Sequence, residues 1–493
     1  MRSTLVGLVV LAVGCAHAPR MARGPVESHW IELTSRHFVL RTDLPRKQAL
    51  AALVDFEGVY GTLETVAFPG DAPKDRIDVI LFSDENAFRA LAPRGAAGYF
   101  MPRQVDDPEP VPTIVIHGRV LFAGDLVEST QRRFRHELTH RFIDHRLRWT
   151  PPWLEEGLAE YYSTLKVSGG DAIVGTLPST KILRIDIHVG QTLIESSVDD
   201  RIELNEVPTV QQLLTADFAT FHDPQHDLAY YVGAWTFVHM MLNGPFGYTS
   251  HFQRFLDMLA GGATPPEAWR DCFWSIPLWR IEHDFKRYMT RTEMEPHANE
   301  VAVPKPKKPE RERAMGADEV HLLLARIRPW DSRENIVAAG AELAAARAAA
   351  GEHVSAELHY WTGVYAIRWR HFEEAERELR AAIELEPKRT RNWLGLAEAL
   401  EKDEREDARG ELDETVTHLV PMATSARALD FLARYYSGRG QLDNGLPYAR
   451  RAVATERGCW ECVETLSAIQ DAAHPVAPKP AAAQENTVKP SID

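Results

Sequence analysis

The residues best suited to chemistry lie in one pentapeptide, His136-Glu137-Leu138-Thr139-His140, an H-E-x-x-H motif. It falls within Thr130 to Arg146, whose pattern predicts a helix with Ser129 or Thr130 capping its start. Histidines four residues apart on a helix are offset by ~40° around its axis, so both imidazoles can reach one ion. Glu137 sits beside that face, placed to accept a proton from an ion-activated water rather than to ligate the ion. Fifteen residues separate His140 from Glu156, which follows Pro151-Pro152-Trp153-Leu154-Glu155. A second helix begun by the double proline could return Glu156 to the same ion. Two imidazoles, one carboxylate and an open water position form the usual catalytic zinc set. Zinc is therefore the expected cofactor, with His136, His140 and Glu156 as ligands and Glu137 as general base.

H-E-x-x-H followed by Trp153-Leu154-Glu155-Glu156-Gly157-Leu158-Ala159-Glu160-Tyr161 resembles the gluzincin metallopeptidases, specifically the peptidase MA-like bacterial group. The aminopeptidase N relatives share a similar tryptophan-to-alanine block. The resemblance extends over roughly residues 30 to 290 and implies a zincin-like domain, a small mixed sheet with active-site helices, that hydrolyses peptide bonds. It assigns the third ligand to the glutamate directly before the glycine, Glu156; Glu155 occupies a position that varies in the family. In related enzymes a carboxylate one helical turn further on orients a ligand histidine, so Glu160 is a candidate for that role, with a solvated helix carboxylate as the plain alternative. The strand Thr113 to Ile116 would be the sheet edge beside the cleft, where a substrate backbone can pair. Val207 to Leu214 and Tyr230 to His239 resemble the later helices of the family. Tyr231 then aligns with a tyrosine that donates to the developing oxyanion, or else it simply packs on its helix. His226 and His239 are lone histidines, which are more often structural, and Arg132, Arg133 and Arg141 read as a solvated face of the metal helix.

The elements that must position these groups follow from the rest of the chain. With 493 residues, 44% hydrophobic and 26% charged, the composition is that of an ordinary globular protein with ample material for a core. The net charge of −15 argues against nucleic acid as a partner. Residues 28–118 read as mixed strand and helix. His37 to Leu40, Ile77 to Phe82 and Thr113 to Ile116 are the expected strands, and Lys47 to Val66 is an amphipathic helix. Residues 119–290 read as mostly helical. Residues 291–318, rich in proline and alternating charge, read as a solvated linker.

Residues 319–472 carry a looser repeat. Gly363, Ala375, Ala382 and Pro387 match the small-residue and proline positions of a tetratricopeptide-like unit, and Trp393, Leu396, Ala397 and Pro421 repeat it. The two prolines are 34 residues apart (421 − 387), the period of that repeat. The expected fold class is therefore α+β: a zincin-like domain followed by an all-α tetratricopeptide-like solenoid that takes a protein partner. Cys459 and Cys462 are spaced for a local disulfide, and residues 473–493 read as a disordered tail.

At the other end, a basic start, the nine-residue apolar run Leu5 to Val13 and small residues before Cys15 resemble a bacterial lipoprotein signal. The resemblance implies removal of residues 1–14, lipidation of Cys15, a tether over 15–27, and anchoring in the cell envelope, at the outer membrane given Ala16. Two readings follow: a lipid-anchored zinc peptidase whose repeats recruit a protein substrate or partner, or an inactive envelope scaffold acting through the repeats. An intact Glu137 favours the first, since a scaffold has no need of a water-activating carboxylate.

Overall fold

The computed structural model describes residues 29–473, apart from 94–95, 103–106, 108, 110, 119–126, 148, 169–170, 177–180, 183–192, 197–199, 204–205, 292–293, 295, 301–308 and 457–458. Cys15, the signal and tether, and nearly all of the tail lie outside the described residues. The architecture is mixed α+β, with one six-stranded sheet, two small antiparallel sheets and nineteen α-helices among the described residues.

The first part runs β1 (Ile31–Thr34), β2 (Phe38–Thr42), α1 (Arg46–Val66), β3 (Ile77–Phe82), α2 (Glu85–Arg89), β4 (Gly98–Met101) and β5 (Thr113–His117). Every position of β3 and β5 is buried, as expected of strands covered on both faces. One face of the sheet, with Leu40, Val79, Leu81, Ile114 and Ile116, packs with Phe56 of α1 and Phe134 of the next helix. The other face, with Ile80, Phe82 and Val115, packs with Phe88 of α2. β2, β3 and β5 run parallel, while β4 pairs antiparallel to β5 with Tyr99 opposite Val115.

The sheet order is β12-β1-β2-β3-β5-β4, in which β12 is Arg311–Ala314. This corrects two expectations. The strand at Thr113 to Ile116 is not the sheet edge; it lies between β3 and β4, and β4 is the edge. Arg311–Ala314, within the expected linker, form the opposite edge strand, and the linker's last residues, Ala317 and Asp318, open a helix. The alternating charges of the strand are not solvated at random, because Arg313 reaches across to its register partner Glu32 at 2.8 Å, and Glu32 also accepts from Arg41 at 2.9 Å. Cross-strand charge pairing of this kind stabilises an edge that has few apolar side chains.

The middle of the chain contains α3 (Glu128–Arg146) and α4 (Pro152–Ser163), then short strands β6 (Lys166–Ser168), β7 (Asp171–Val174), β8 (Lys181–Ile182), β9 (Leu193–Ser196) and β10 (Asp200–Glu203). These strands depart from the mostly helical expectation. The helices α5 (Val210–Thr215), α6 (Phe218–Phe221), α7 (Asp227–Asn243), α8 (Thr249–Ala260), α9 (Pro265–Phe273) and α10 (Leu278–Met289) follow. Trp153, Phe237, Phe252, Phe255 and Phe285 join α4, α7, α8 and α10 in the same core as the first sheet face. β11 (His297–Glu300) pairs antiparallel with β7.

The remaining helices are α11 (Ala317–Ile327), α12 (Arg333–Ala350), α13 (Ala356–Arg368), α14 (Phe372–Leu385), α15 (Thr390–Lys402), α16 (Ala408–Leu419), α17 (Ala426–Gly438), α18 (Leu442–Thr455) and α19 (Trp460–Ala473). Val320, Leu323, Leu324 and Ile327 of α11 cover the second face of the six-stranded sheet, so the helical array grows directly out of that domain. Gly363 allows α13 to close on α14: a Cβ there would lie 2.6 Å from Leu379 Cγ. A disulfide joins Cys459 to Cys462 at the start of α19. Among the described residues, no helix is long and apolar enough to cross a membrane.

Candidate metal centre

α3 carries His136, Glu137 and His140, but neither Ser129 nor Thr130 caps it. The N-cap is Val127 without a side-chain hydrogen bond, and both expected caps lie inside the helix. The arginines of α3 also differ from expectation. Arg141 is buried, and Arg132 donates to Glu160 at 2.6 Å and to Ser163 Oγ at 3.1 Å. Arg133 meets His117 at 2.7 Å. Arg132 and Arg133 tie α3 to its neighbours, while Arg141 pairs with Asp144 on the same helix; helical periodicity alone does not distinguish these uses of arginine from solvation.

α4 starts where the double proline places it, with Pro151 as N-cap and Pro152 as first helical residue. It packs on α3 and on α7. The helix pair brings three ligand atoms together. His136 Nε2 and His140 Nε2 are 3.1 Å apart, and Glu156 Oε2 lies 3.4 Å from the first and 3.7 Å from the second. Glu156 Oε2 is buried and accepts no hydrogen bond. His136, His140 and Glu156 could thus hold one metal ion.

The second ring nitrogens also face carboxylates. His136 Nδ1 is 3.7 Å from Glu160 Oε1, and His140 Nδ1 is 3.4 Å from Glu155 Oε1. Carboxylates at that position orient an imidazole and raise its basicity. Glu160 therefore stands next to the ring it was expected to orient. Glu155, passed over as a ligand on the sequence, faces the other ring.

Glu137 is buried beside β4. At Gly98, a Cβ would come within 3.2 Å of Glu137 Oε1 and 2.8 Å of Ile116 Cγ2, so the bare backbone of the edge strand leaves room for this carboxylate. Tyr231 projects from α7 toward Glu156, with which its hydroxyl shares a hydrogen bond. The same hydroxyl is 3.4 Å from His222 Nδ1, and His222 Nε2 is 3.8 Å from Glu156 Oε1. His222 was not legible in the sequence, because it follows the short helix α6 in a segment with no periodic pattern. His226 stays outside the cluster at the exposed start of α7, 3.1 Å from Asp223. His239 is buried elsewhere, between Tyr288 at 2.7 Å and the Gly175 carbonyl at 2.9 Å.

The electrostatics are those of a buried, acid-rich pocket. Burial pushes the Glu137 carboxyl up, with His136 and His140 opposing and Glu156 and Glu160 adding to the rise. Burial disfavours a charge on His140, but Glu156, Glu155 and Glu137 outweigh it and push the imidazole up to about 10. Burial also opposes ionisation of Glu156, yet His140, His136 and His222 hold its carboxyl below the ordinary value. Burial and the surrounding carboxylates push the Tyr231 phenol well above its ordinary value, so it stays a hydrogen-bond donor. Clustered buried carboxylates demand positive charge nearby, which a cation held by the three ligand atoms would satisfy. Compared with family models and with curated proteins, the chain matches none.

Proposed function

We propose that this protein is a zinc-dependent peptidase of the gluzincin type, similar to the peptidase MA-like bacterial group. We further propose that it is exported to the bacterial cell envelope on a lipid anchor at Cys15, with tetratricopeptide-like repeats that recruit a protein substrate or partner. One observation carries the catalytic reading: three ligand atoms from α3 and α4 converge at 3.1–3.7 Å with Glu137 on the same helix. Zinc bonds of about 2.0–2.2 Å in tetrahedral geometry put ligand atoms roughly 3.3–3.5 Å apart, close to these spacings. The lone Glu156 Oε2, buried and without a donor, supports the same fit.

Held there, zinc would supply a Lewis acid that polarises the scissile carbonyl and lowers the pKa of water toward ~7. Glu137 takes the proton of the attacking water and passes it to the leaving nitrogen. Its burial against Gly98 keeps competing water away and limits its motion. Tyr231 donates its hydroxyl hydrogen bond to the oxygen on which charge develops, with His222 beside it as a second donor. Glu160 and Glu155 hold the two ligand imidazoles in orientation. An extended substrate would pair with β4, the edge strand among the described residues, whose Gly98 lies beside Glu137.

The test is elemental analysis together with cleavage of a mixed peptide library. Wild type should carry one zinc and cleave. His140→Ala should lose zinc. Glu137→Gln should keep zinc and lose roughly 10²–10⁴-fold in rate. Equal cleavage by wild type and Glu137→Gln would overturn the mechanism and leave the envelope-scaffold reading.

A further inference from the structure

The corner between α9 and α10 turns two indoles into solvent. Trp274 is 81% exposed and Trp279 is 71% exposed, with Leu278 exposed beside them. The tryptophans are five residues apart in sequence, so their Cα atoms are at most about 18 Å apart. By contrast, Trp269 and Phe273 of α9 stack at 4.1 Å and pack against the core. The corner itself is firmly built. Ile276 packs against the core and donates its N–H to the Phe273 carbonyl at 2.9 Å, and Pro277 caps α10. Large aromatic side chains are seldom left this open to water, because their burial is strongly favourable. Held outward on a fixed turn, they lose little conformational freedom on docking.

The charges beside them are sorted by sign. α10 exposes Arg280, Lys286 and Arg287, whereas its two carboxylates bond to the protein. Glu282 accepts from the Val210 backbone N–H at 2.7 Å, and buried Asp284 accepts from the Tyr248 hydroxyl at 2.7 Å. Lys286 stays open to water although Glu282 lies 3.8 Å away. On α9, Arg270 and Asp271 pair at 3.1 Å and cancel. Helical spacing places Trp279, Arg280, Lys286 and Arg287 within about 120° of arc, opposite buried Ile281 and Tyr288. A cationic face thus adjoins exposed indoles on a chain whose net charge is −15. Indoles sit favourably at headgroup depth, and cations beside them meet the phosphates of anionic lipids. An acidic protein is repelled by such a surface except through a local basic face, which fixes the side that approaches.

We propose that the α9–α10 corner docks on the surface of an anionic lipid bilayer, with Trp274 and Trp279 at headgroup level and Arg280, Lys286 and Arg287 over the lipid phosphates. The contact is peripheral and orients the domain that carries the metal centre relative to the membrane. It goes beyond the peptidase reading and needs neither zinc nor a lipid on Cys15, so it stands or falls independently of both.

The test floats the full chain, carrying Cys15→Ser to prevent lipidation, with vesicles of equimolar phosphatidylcholine and phosphatidylglycerol and with vesicles of phosphatidylcholine alone. The apolar run at Leu5 to Val13 is common to every variant, so each result is read as a ratio to the parent chain. Trp274→Ser/Trp279→Ser should lower partitioning onto the mixed vesicles at least ~10-fold. Arg280→Gln/Lys286→Gln/Arg287→Gln should lower it ~100-fold, at about fivefold for each cation removed, and should change nothing on phosphatidylcholine alone. All five positions are exposed, so the substitutions leave the core intact. Brominated lipid, which quenches indoles seated in the bilayer, should quench the parent chain more than the tryptophan variant. Equal partitioning of the parent chain and the tryptophan variant, or a loss in the basic variant that is the same on both vesicles, would overturn the proposal. So would self-association in sedimentation velocity that the tryptophan variant abolishes while vesicle binding is unchanged, which would assign the corner to a second copy of this chain.

Discussion

Gly157→Ala asks whether the metal centre depends on a close approach of two helices. Gly157 follows Glu156 on α4 and faces α7. A methyl group there would lie 2.6 Å from Val238 Cγ2, 2.8 Å from the Ala234 carbonyl oxygen and 3.1 Å from its carbon. The Val238 side chain can rotate, but the Ala234 carbonyl moves only with α7. Relief to an ordinary contact near 3.5 Å requires the helices to part by several tenths of an ångström. Overpacking of this kind costs about 1–3 kcal/mol, against a gain of up to ~1 kcal/mol from the higher helix propensity of alanine. The overpacking term wins, and the variant should melt roughly 2–6 °C below wild type. Glu156 moves with the displaced helix, so zinc affinity, measured by competition with a chelator, should fall ~10-fold or more. Gly58→Ala is the matched control, since a Cβ at that position of α1 meets nothing within 4 Å and the variant should be slightly stabilised. A Gly157→Ala protein that melts at or above wild type would refute the close-approach argument.

Two further outcomes follow from the geometry. Buried His239 donates to the Gly175 carbonyl and accepts from Tyr288, and burial lowers its pKa to about 4. A base whose folded pKa lies below its unfolded value contributes full stability above pH ~6.5 and loses it as pH falls toward 4. By pH 5 the loss should be on the order of 2 kcal/mol, and denaturant midpoints for wild type and His239→Gln should show that slope only in the wild type. Glu160→Gln should retain zinc but bind it ~10–100-fold more weakly, because His136 loses the carboxylate 3.7 Å from its Nδ1. Unchanged affinity in chelator competition would make Glu160 only the ion-pair partner of Arg132.

The metal-ligand candidates were legible because they rest on local geometry. Helical spacing puts His136 and His140 on one face, and Pro151-Pro152 starts the next helix at a defined residue, so little beyond the backbone is needed to place Glu156 near them. The strand at Ile77–Phe82 was equally plain, since a strand covered on both faces is a continuous apolar run. The array helices and their close approach at Gly363 follow from alanine, leucine and glycine spacing.

Other features depend on partners far away along the chain, which local pattern does not encode. Sheet order is one: β4 took the edge and Thr113–His117 an interior place, although both are short apolar strands. Arg311–Ala314 looked like solvated linker until Glu32, 281 residues from Arg313, supplied its counter-charge. His222 and Glu155 joined the candidate metal pocket only when α6 and α4 folded against it, and Arg132 became a strut because Glu160 came within 2.6 Å. Ligand spacing is a property of a single helix and survives in the linear chain. Charge pairing, strand order and pocket lining are properties of juxtaposition, and they come into being only when burial forces distant groups to satisfy one another.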